Sequence, residues 1–406
     1  MRWIILVIIY VVLDIYAFQA FKTVTRHTWI YFLYLILSLA VLGYMLYQFN
    51  IPEKEGLTGP RSYAIGFFLA FFVPKLILFV LLFGEDLVRL VVSGFQKLIH
   101  TNEAYSLPSR RKFVSQIALG IAAIPFASLL YGMYQGRYNY KVLKYVLHFD
   151  DLPEAFDGYR ITQISDVHSG SFDNPVKIQY GIDLINEQQS DAIMFTGDLV
   201  NNKASEMDQW KTKFASLSAP DGVYSVLGNH DYGDYVNWDS AAAKKANLDA
   251  LKNVHREMGW NLLLDENKIL KRGKDSIAIV GVENWGAGFK QVGDLGRASA
   301  GLTEKEFKIL LSHDPSHWQE RVKVDNKKFH LTLSGHTHGM QFGIEIPGWF
   351  KWSPVQYRYE HWAGIYEEAG RFLNVNRGFG FLAYPGRVGI WPEVSVIELR
   401  KGPKPV

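Results

Sequence analysis

The first third of the chain is written in apolar runs that do not alternate. Trp3–Phe18 reads WIILVIIYVVLDIYAF and Thr28–Tyr47 reads TWIYFLYLILSLAVLGYMLY; two further runs cover Tyr63–Gly84 and Phe113–Tyr134. A helix apolar on every face belongs in a core or in a bilayer, and about 20 residues cross hydrocarbon roughly 30 Å thick. The last three runs have that length, and the first reaches it when extended to Phe21. Four such runs within some 135 residues argue against buried helices of a soluble protein and for a bundle of about four transmembrane helices, with spans at about 2–21, 28–48, 62–84 and 113–134. Trp3, Trp29 and Tyr31 sit near run ends, where amphipathic rings prefer the interface. Asp14 and Lys75 interrupt the runs. With no further ionisable residues to form a relay, they are expected to make a pair or polar contact inside the bundle.

From about residue 136 the pattern changes to short apolar runs between amphipathic stretches. Strands are expected at YRITQIS (from Tyr159), DAIMF, VYSVL, SIAIVGV, FKILLS and FHLTL. Between them, Asn174 and Pro175 mark a helix start, and Ile178, Ile182 and Ile185 share one face. Met207, Trp210, Phe214 and Leu217 predict another helix, as do Leu248, Leu251, Val254 and Met258, and TEKE from Thr303 has the form of a capping box. Strand and helix alternate, so residues 136–406 predict an α/β layered domain behind a membrane domain of residues 1–135.

Composition narrows the function without naming it. The 406 residues carry 43 basic and 40 acidic side chains, a net charge of +3 too small to suggest nucleic acid. Cysteine is absent, which excludes disulfides, thiolate ligands and cysteine nucleophiles.

Four spans put both ends of the bundle on one side. The loop charges balance: Lys22, Arg26, Lys97, Arg110, Arg111 and Lys112 against Arg2, Lys54, Arg61, Arg137, Lys141 and Lys144. The densest cluster, SRRKFVSQ from Ser109, abuts the fourth run. It reads as a cytoplasmic anchor or as a resemblance to a twin-arginine export signal. Either way the chain after Tyr134 is expected outside the cytoplasm.

Chemistry gathers where the strands end. Asp166 and His168 follow the first, Gly197-Asp198 the second, Gly228-Asn229-His230-Asp231 the third, His313-Asp314 a fourth, and Gly335-His336-Thr337-His338 a fifth. Open α/β sheets place ligands at carboxyl ends of strands. Turn preference explains the aspartates and Asn229 but not five of the chain's 12 histidines. Imidazole, carboxylate and amide together suit Mn²⁺, Fe²⁺, Zn²⁺ or Mg²⁺, and seven ligands suit two ions sharing a carboxylate.

The blocks D-x-H, GD, GNHD, a lone H and GHTH, in this order over residues 158–340, resemble the calcineurin-like metallophosphoesterases. The tail VNRGFGF to PEVSVIEL resembles the C-terminal strands of their bacterial membrane-anchored branch. The resemblance implies a β-sandwich flanked by helices and a metal-dependent phosphoric ester hydrolase using two divalent ions. It implies that Asp166, His168 and His338 hold the first ion and Asn229, His313 and His336 the second, with Asp198 bridging. It further implies His230 as transition-state stabiliser or general acid, with Asp231 as its orienting partner, and a metal-bridging hydroxide as nucleophile. The substrate is then a phosphate ester, diester or pyrophosphate, small or lipid-linked. The alternative is a non-catalytic metal-binding scaffold, or a membrane sensor or transport module, on the same fold. Arg377, Arg387 and Glu393 stand outside the motifs and suit loop anchoring as well as anion binding. Trp349, Phe350, Trp352 and Tyr357, just after GHTH, are expected to pack in the core or facing the membrane, with an apolar wall for a lipid-like substrate as the other reading.

Overall fold

The computed structural model describes residues 2–51, 56–57, 59–98, 108–346 and 348–404. The apolar runs are the helices α1 (Arg2–Val24), α2 (Thr28–Asn50), α3 (Gly59–Leu98) and α4 (Pro108–Tyr134), all long and apolar enough to cross a membrane. They form one compact unit, and the chain from Gln135 onward forms another.

The third helix runs on past the expected span of about 62–84, to Leu98. Glu85 and Arg89 pair at 3.0 Å one turn apart, a spacing that supports helix. Charge therefore marks where the apolar stretch ends, not where the backbone hydrogen bonds end. Pro74 and Pro125 lie inside α3 and α4 without ending them, as neighbouring membrane helices permit. Asp14 and Lys75 do pair, at 2.8 Å. Ser38 lies between them, donating to Asp14 at 2.7 Å and accepting from Lys75 at 2.6 Å, while the Lys75 ammonium sits 3.6 Å from the Tyr10 ring centroid. Arg111 donates to Gln19 and pairs with Asp86, tying α4 to α1 and α3. Lys54 and the side chains of Lys97 and Arg110 lie outside the described residues.

The second unit begins with β1 (Lys141–Phe149), β2 (Arg160–Ile164), α5 (Pro175–Asn186), β3 (Ala192–Phe195), the single turn α6 (Lys211–Phe214) and β4 (Val223–Ser225). It continues with α7 (Ala241–Glu257), β5 (Asn261–Leu262), β6 (Glu266–Arg272), β7 (Asp275–Gly281), α8 (Leu295–Ala298), β8 (Phe307–Leu311), α9 (Pro315–Glu320) and β9 (Leu331–Ser334). A small hairpin, β10 (Ile344–Ile346) and β11 (Phe350–Trp352), precedes β12 (Gly364–Glu368), β13 (Arg371–Val375) and β14 (Glu393–Lys401).

Two six-stranded mixed sheets result, ordered β1-β14-β2-β3-β4-β5 and β12-β13-β9-β8-β7-β6. Ile161, Met194 and Tyr224 of the first sheet and Ile279, Ile309 and Leu333 of the second belong to one buried cluster, the filling of a sandwich. The outer face of the first sheet is covered by α5 and α7 through Ile178, Ile182, Ile185, Leu251 and Val254. Trp318 of α9 and Ala298 of α8 cover the second. This is the expected helix-flanked sandwich.

Two local expectations fail. Met207, Trp210, Phe214 and Leu217 are all buried, but on a 3₁₀ turn (Ala204–Met207) and the single turn α6 rather than one helix. Glu206 accepts from the backbone N–H groups of Asn201, Asn202 and Lys203 and turns the chain there, so the periodicity reported which side faces the core and not a continuous helix. TEKE forms its local bonds, Thr303 N–H to Glu306 at 2.8 Å and Lys305 N–H to Thr303 at 3.2 Å. They close a turn that leads into β8, because the Phe307–Leu311 run that follows is completely buried and pairs on both sides.

Candidate metal centre

β2, β3 and β4 run parallel to one another in the first sheet and β8 and β9 in the second, and all five motif loops leave their carboxyl ends. Asp166, His168, Asp198, His336 and His338 each have a positive φ, between 48° and 70°. Left-handed backbone on non-glycine residues costs on the order of 1–3 kcal/mol each, so the surroundings must enforce it. They do so by short approaches: a Cβ on Gly335 would lie 1.9 Å from Ser165 Oγ and 2.2 Å from Asp166 Oδ2. One on Gly228 would lie 2.2 Å from Asp198 Oδ1. The two glycines next to the histidine motifs leave room for the carboxylates.

The seven expected ligand residues come together in two adjoining groups. In the first, His168 Nε2 and His338 Nε2 are 3.0 Å apart and His338 Nε2 is 3.2 Å from Asp166 Oδ1. In the second, His313 Nε2 lies 3.2 Å from Asp198 Oδ2 and 3.1 Å from Asn229 Oδ1, and His336 Nδ1 lies 2.8 Å from Asn229 Oδ1. Asp198 Oδ2 is also 3.5 Å from His168 Nε2, so this one oxygen faces both groups. Asp166, His168 and His338 on one side, and Asp198, His313 and His336 on the other, are sets that could each hold a metal ion.

The outward atoms show which lone pairs point inward. His313 Nδ1 is 2.8 Å from the Thr196 carbonyl, and His336 Nε2 is 2.8 Å from Tyr359 Oη and 3.4 Å from Asp314 Oδ2. Asn229 turns its amide nitrogen to Tyr235 Oη at 2.8 Å, which leaves Oδ1 facing the histidines. Imidazole nitrogens, an amide oxygen and carboxylate oxygens thus converge with hardly a donor among them. A cation is what such a set lacks, and the hydrogen bonds behind it are those that orient metal ligands. The residues fit divalent ions.

The electrostatics agree. Burial alone would raise Asp166 and Asp198, yet the facing His338 and His313 hold both well below the usual carboxylate range. Against its own burial, His313 is pushed up to about 10 by Asp198, so a proton stands where an ion would displace it. Burial lowers His168, His230 and His336, which keeps those imidazoles neutral.

His230 stays out of both groups. Its ring packs against Tyr235 and His168, with centroids 4.4 and 4.9 Å away, and its Nδ1 meets the Asn201 carbonyl at 2.9 Å. This corrects the role expected of Asp231. Its carboxylate does not touch the His230 ring but accepts four backbone N–H groups, from Asp198, Gly228, Leu199 and Val200. Asp231 ties the loop after β3 to the loop after β4, and Asn201 orients His230. Arg377 forms ion pairs at 2.5 Å with Glu393 and Glu345. Arg387 is fully buried on the carbonyls of Gly378 and Gly380, with Nη2 3.2 Å from His338 Nδ1. Both anchor loops. Tyr235, Tyr359 and Asn201 carry no sequence signal, since each reaches the site from outside the motifs. Packing in the core or facing the membrane was expected of Trp349, Phe350 and Tyr357; at 81%, 48% and 80% exposed, they are not part of the core.

Comparison with known proteins agrees with this geometry. Residues 159–340 match the calcineurin-like phosphoesterase family, and residues 1–137 match a transmembrane domain of calcineurin-like phosphoesterases. The metallophosphoesterase YkuE of Bacillus subtilis is 28% identical over 72% of this chain and 98% of its own length. The metallophosphoesterase Cj0846 of Campylobacter jejuni is 24% identical over 98% of this chain and 97% of its own. A transmembrane protein with a metallophosphoesterase domain from Danio rerio is 27% identical over 74% of this chain and 65% of its own. The chain is a membrane protein that belongs to the calcineurin-like metallophosphoesterases, metal-dependent phosphoric ester hydrolases.

Proposed function

We propose that the chain hydrolyses a phosphate ester, diester or pyrophosphate with two divalent ions. Asp166, His168 and His338 hold one, Asn229, His313 and His336 the other, and Asp198 both. The observation that carries this reading is the position of Asp198 Oδ2, 3.2 Å from His313 Nε2 and 3.5 Å from His168 Nε2. A pair of such ions supplies an activated water at neutral pH and neutralises charge on the phosphoryl oxygens.

The chain's own residues do the rest. His230 gives its Nδ1–H to the Asn201 carbonyl and turns the Nε2 lone pair toward the site; it serves a leaving oxygen as general acid once Nε2 has taken up a proton. Asp231 and Arg387 position loops. Tethering to a bilayer favours a lipid-linked or envelope phosphate by proximity, and the cationic cluster at Arg110–Lys112 favours a catalytic unit outside the cytoplasm. The test is a screen of the full chain, loaded with Mn²⁺, against p-nitrophenyl phosphate, bis-p-nitrophenyl phosphate and lipid pyrophosphates. Metal-dependent turnover that chelation abolishes supports the reading, and no turnover on any of them overturns it.

A further inference from the structure

Soluble proteins turn the apolar face of a hairpin inward. The β10–β11 hairpin does the reverse. Ile344 pairs with Trp352 and Ile346 with Phe350, so these four share one face, while the pair Glu345 and Lys351 lies on the other. The polar face is the one bonded to the protein. Glu345 accepts from Arg377 at 2.5 Å, and Lys351 donates to the Ala363 carbonyl at 2.5 Å and to Tyr366 at 3.1 Å. The apolar face points away, with Ile344, Ile346 and Phe350 exposed by 56%, 45% and 48% and Trp349 at the turn by 81%. Tyr357, whose hydroxyl meets Trp352, extends the patch at 80%. A contiguous apolar surface with its charges turned inward marks an interaction site.

The surroundings identify the partner. The hairpin joins the domain body along Arg387–Trp391: Gly343 N–H bonds the Val388 carbonyl at 3.0 Å, and Phe342 pairs with Val388. Gly136, two residues past the last membrane helix, lies against the same segment, where its Cβ would meet the Arg387 carbonyl at 2.3 Å and the Trp391 ring at 2.9 Å. The start of the domain, two residues beyond the last membrane helix, and the base of the hairpin are thus held by one stretch of backbone. Residues 135–140 between α4 and β1 span at most about 20 Å, so the surface always within reach of this patch is lipid. Trp, Tyr, Phe and Ile with inward-turned charge are the residues that settle at a membrane interface.

We propose that the β10–β11 hairpin is a membrane-docking element, with Trp349 and Phe350 seated in the headgroup region of the bilayer that holds the four helices. Its consequence concerns access. The hairpin begins a few residues after His338, so docking sets the mouth of the metal centre beside the lipid surface, where a membrane-borne phosphate is presented without leaving the bilayer.

The absence of cysteine makes the test direct. Trp349→Cys and, as a control, Lys274→Cys at the exposed β6–β7 turn are each labelled with an environment-sensitive fluorophore in the full chain, reconstituted in phosphatidylcholine nanodiscs. The proposal expects blue-shifted emission at position 349, quenched by spin-labelled lipid and shielded from iodide, with position 274 showing the opposite on every count. Emission at 349 matching that at 274 overturns it. So does a blue shift at 349 that spin-labelled lipid fails to quench, because that result places protein, a second copy included, over the hairpin. The readout involves no turnover, so it stands apart from the fate of the proposed chemistry.

Discussion

The replacement Asp231→Asn separates a loop tie from a catalytic partner. Asp231 Oδ2 accepts the N–H groups of Gly228 and Asp198 at 2.8 and 2.9 Å, and Oδ1 those of Leu199 and Val200 at 2.8 and 3.2 Å. Asparagine keeps one oxygen. Its amide must face the other two N–H groups, leaving them buried without an acceptor at about 1–3 kcal/mol each. The expected loss is therefore roughly 2–6 kcal/mol, and because Asp198 sits on the affected loop, bound metal falls as well. Urea unfolding of the detergent-solubilised chain, followed by tryptophan fluorescence, reports it, since nine of the 11 tryptophans lie beyond residue 135. His230→Ala is the comparison: it keeps the midpoint and the metal and loses about 10²–10⁴-fold in rate. An Asp231→Asn protein that unfolds at the wild-type urea concentration yet loses as much rate as His230→Ala would refute the argument, since Asp231 would then be acting through the histidine.

Gly335→Ala brings a methyl within 2.2 Å of Asp166 Oδ2; elemental analysis should find less bound metal, and activity should drop by about 10–100-fold, as when ligand support is lost. Lys75→Met strands the Asp14 carboxylate inside the bundle at a cost of about 3–5 kcal/mol, so the double replacement with Asp14→Asn should aggregate at a higher temperature than the single; two additive effects would count against the pair. His255 and His317 are buried, and burial lowers them to about 3 and about 4. The unfolded chain takes up these protons below about pH 6.5 while the folded domain does not, so each histidine removes about 1.4 kcal/mol of stability per pH unit from there down to about pH 4. Chemical unfolding at pH 7 and pH 5 checks this, and His255→Phe should flatten part of the slope. A fluorescent reporter active only in the cytoplasm, fused after Tyr134, should stay dark, and a bright one would place the catalytic unit in the cytosol. Replacing Arg110 and Arg111 by lysine blocks export if the twin-arginine resemblance is functional and leaves it intact if the cluster is only a charge anchor.

What the sequence determined by itself was whatever depends on local period and on order along the chain. Continuous apolar runs set the four membrane helices, because a helix in lipid must be apolar on every face. The lone Asp14 and Lys75 implied a pair or polar contact inside the bundle, since neither charge is stable there alone. The strand-end motifs named the seven residues that converge, because a parallel sheet brings successive carboxyl ends to one edge whatever the loops do. Only the tertiary structure decided which atoms face inward and who holds them there. Asn201 instead of Asp231 behind His230, Tyr359 and Asp314 behind His336, and Tyr235 behind Asn229 are contacts between segments distant in sequence or hidden by loop conformation, and no spacing announces them. The length of α3 and the division of the Met207–Leu217 segment were likewise settled by ion pairs and caps that periodicity does not register. The outward apolar face of β10–β11 is the sharpest case. Alternation shows that two faces differ, but only the Arg377 and Tyr366 contacts decide which one meets the protein and which is left for another surface.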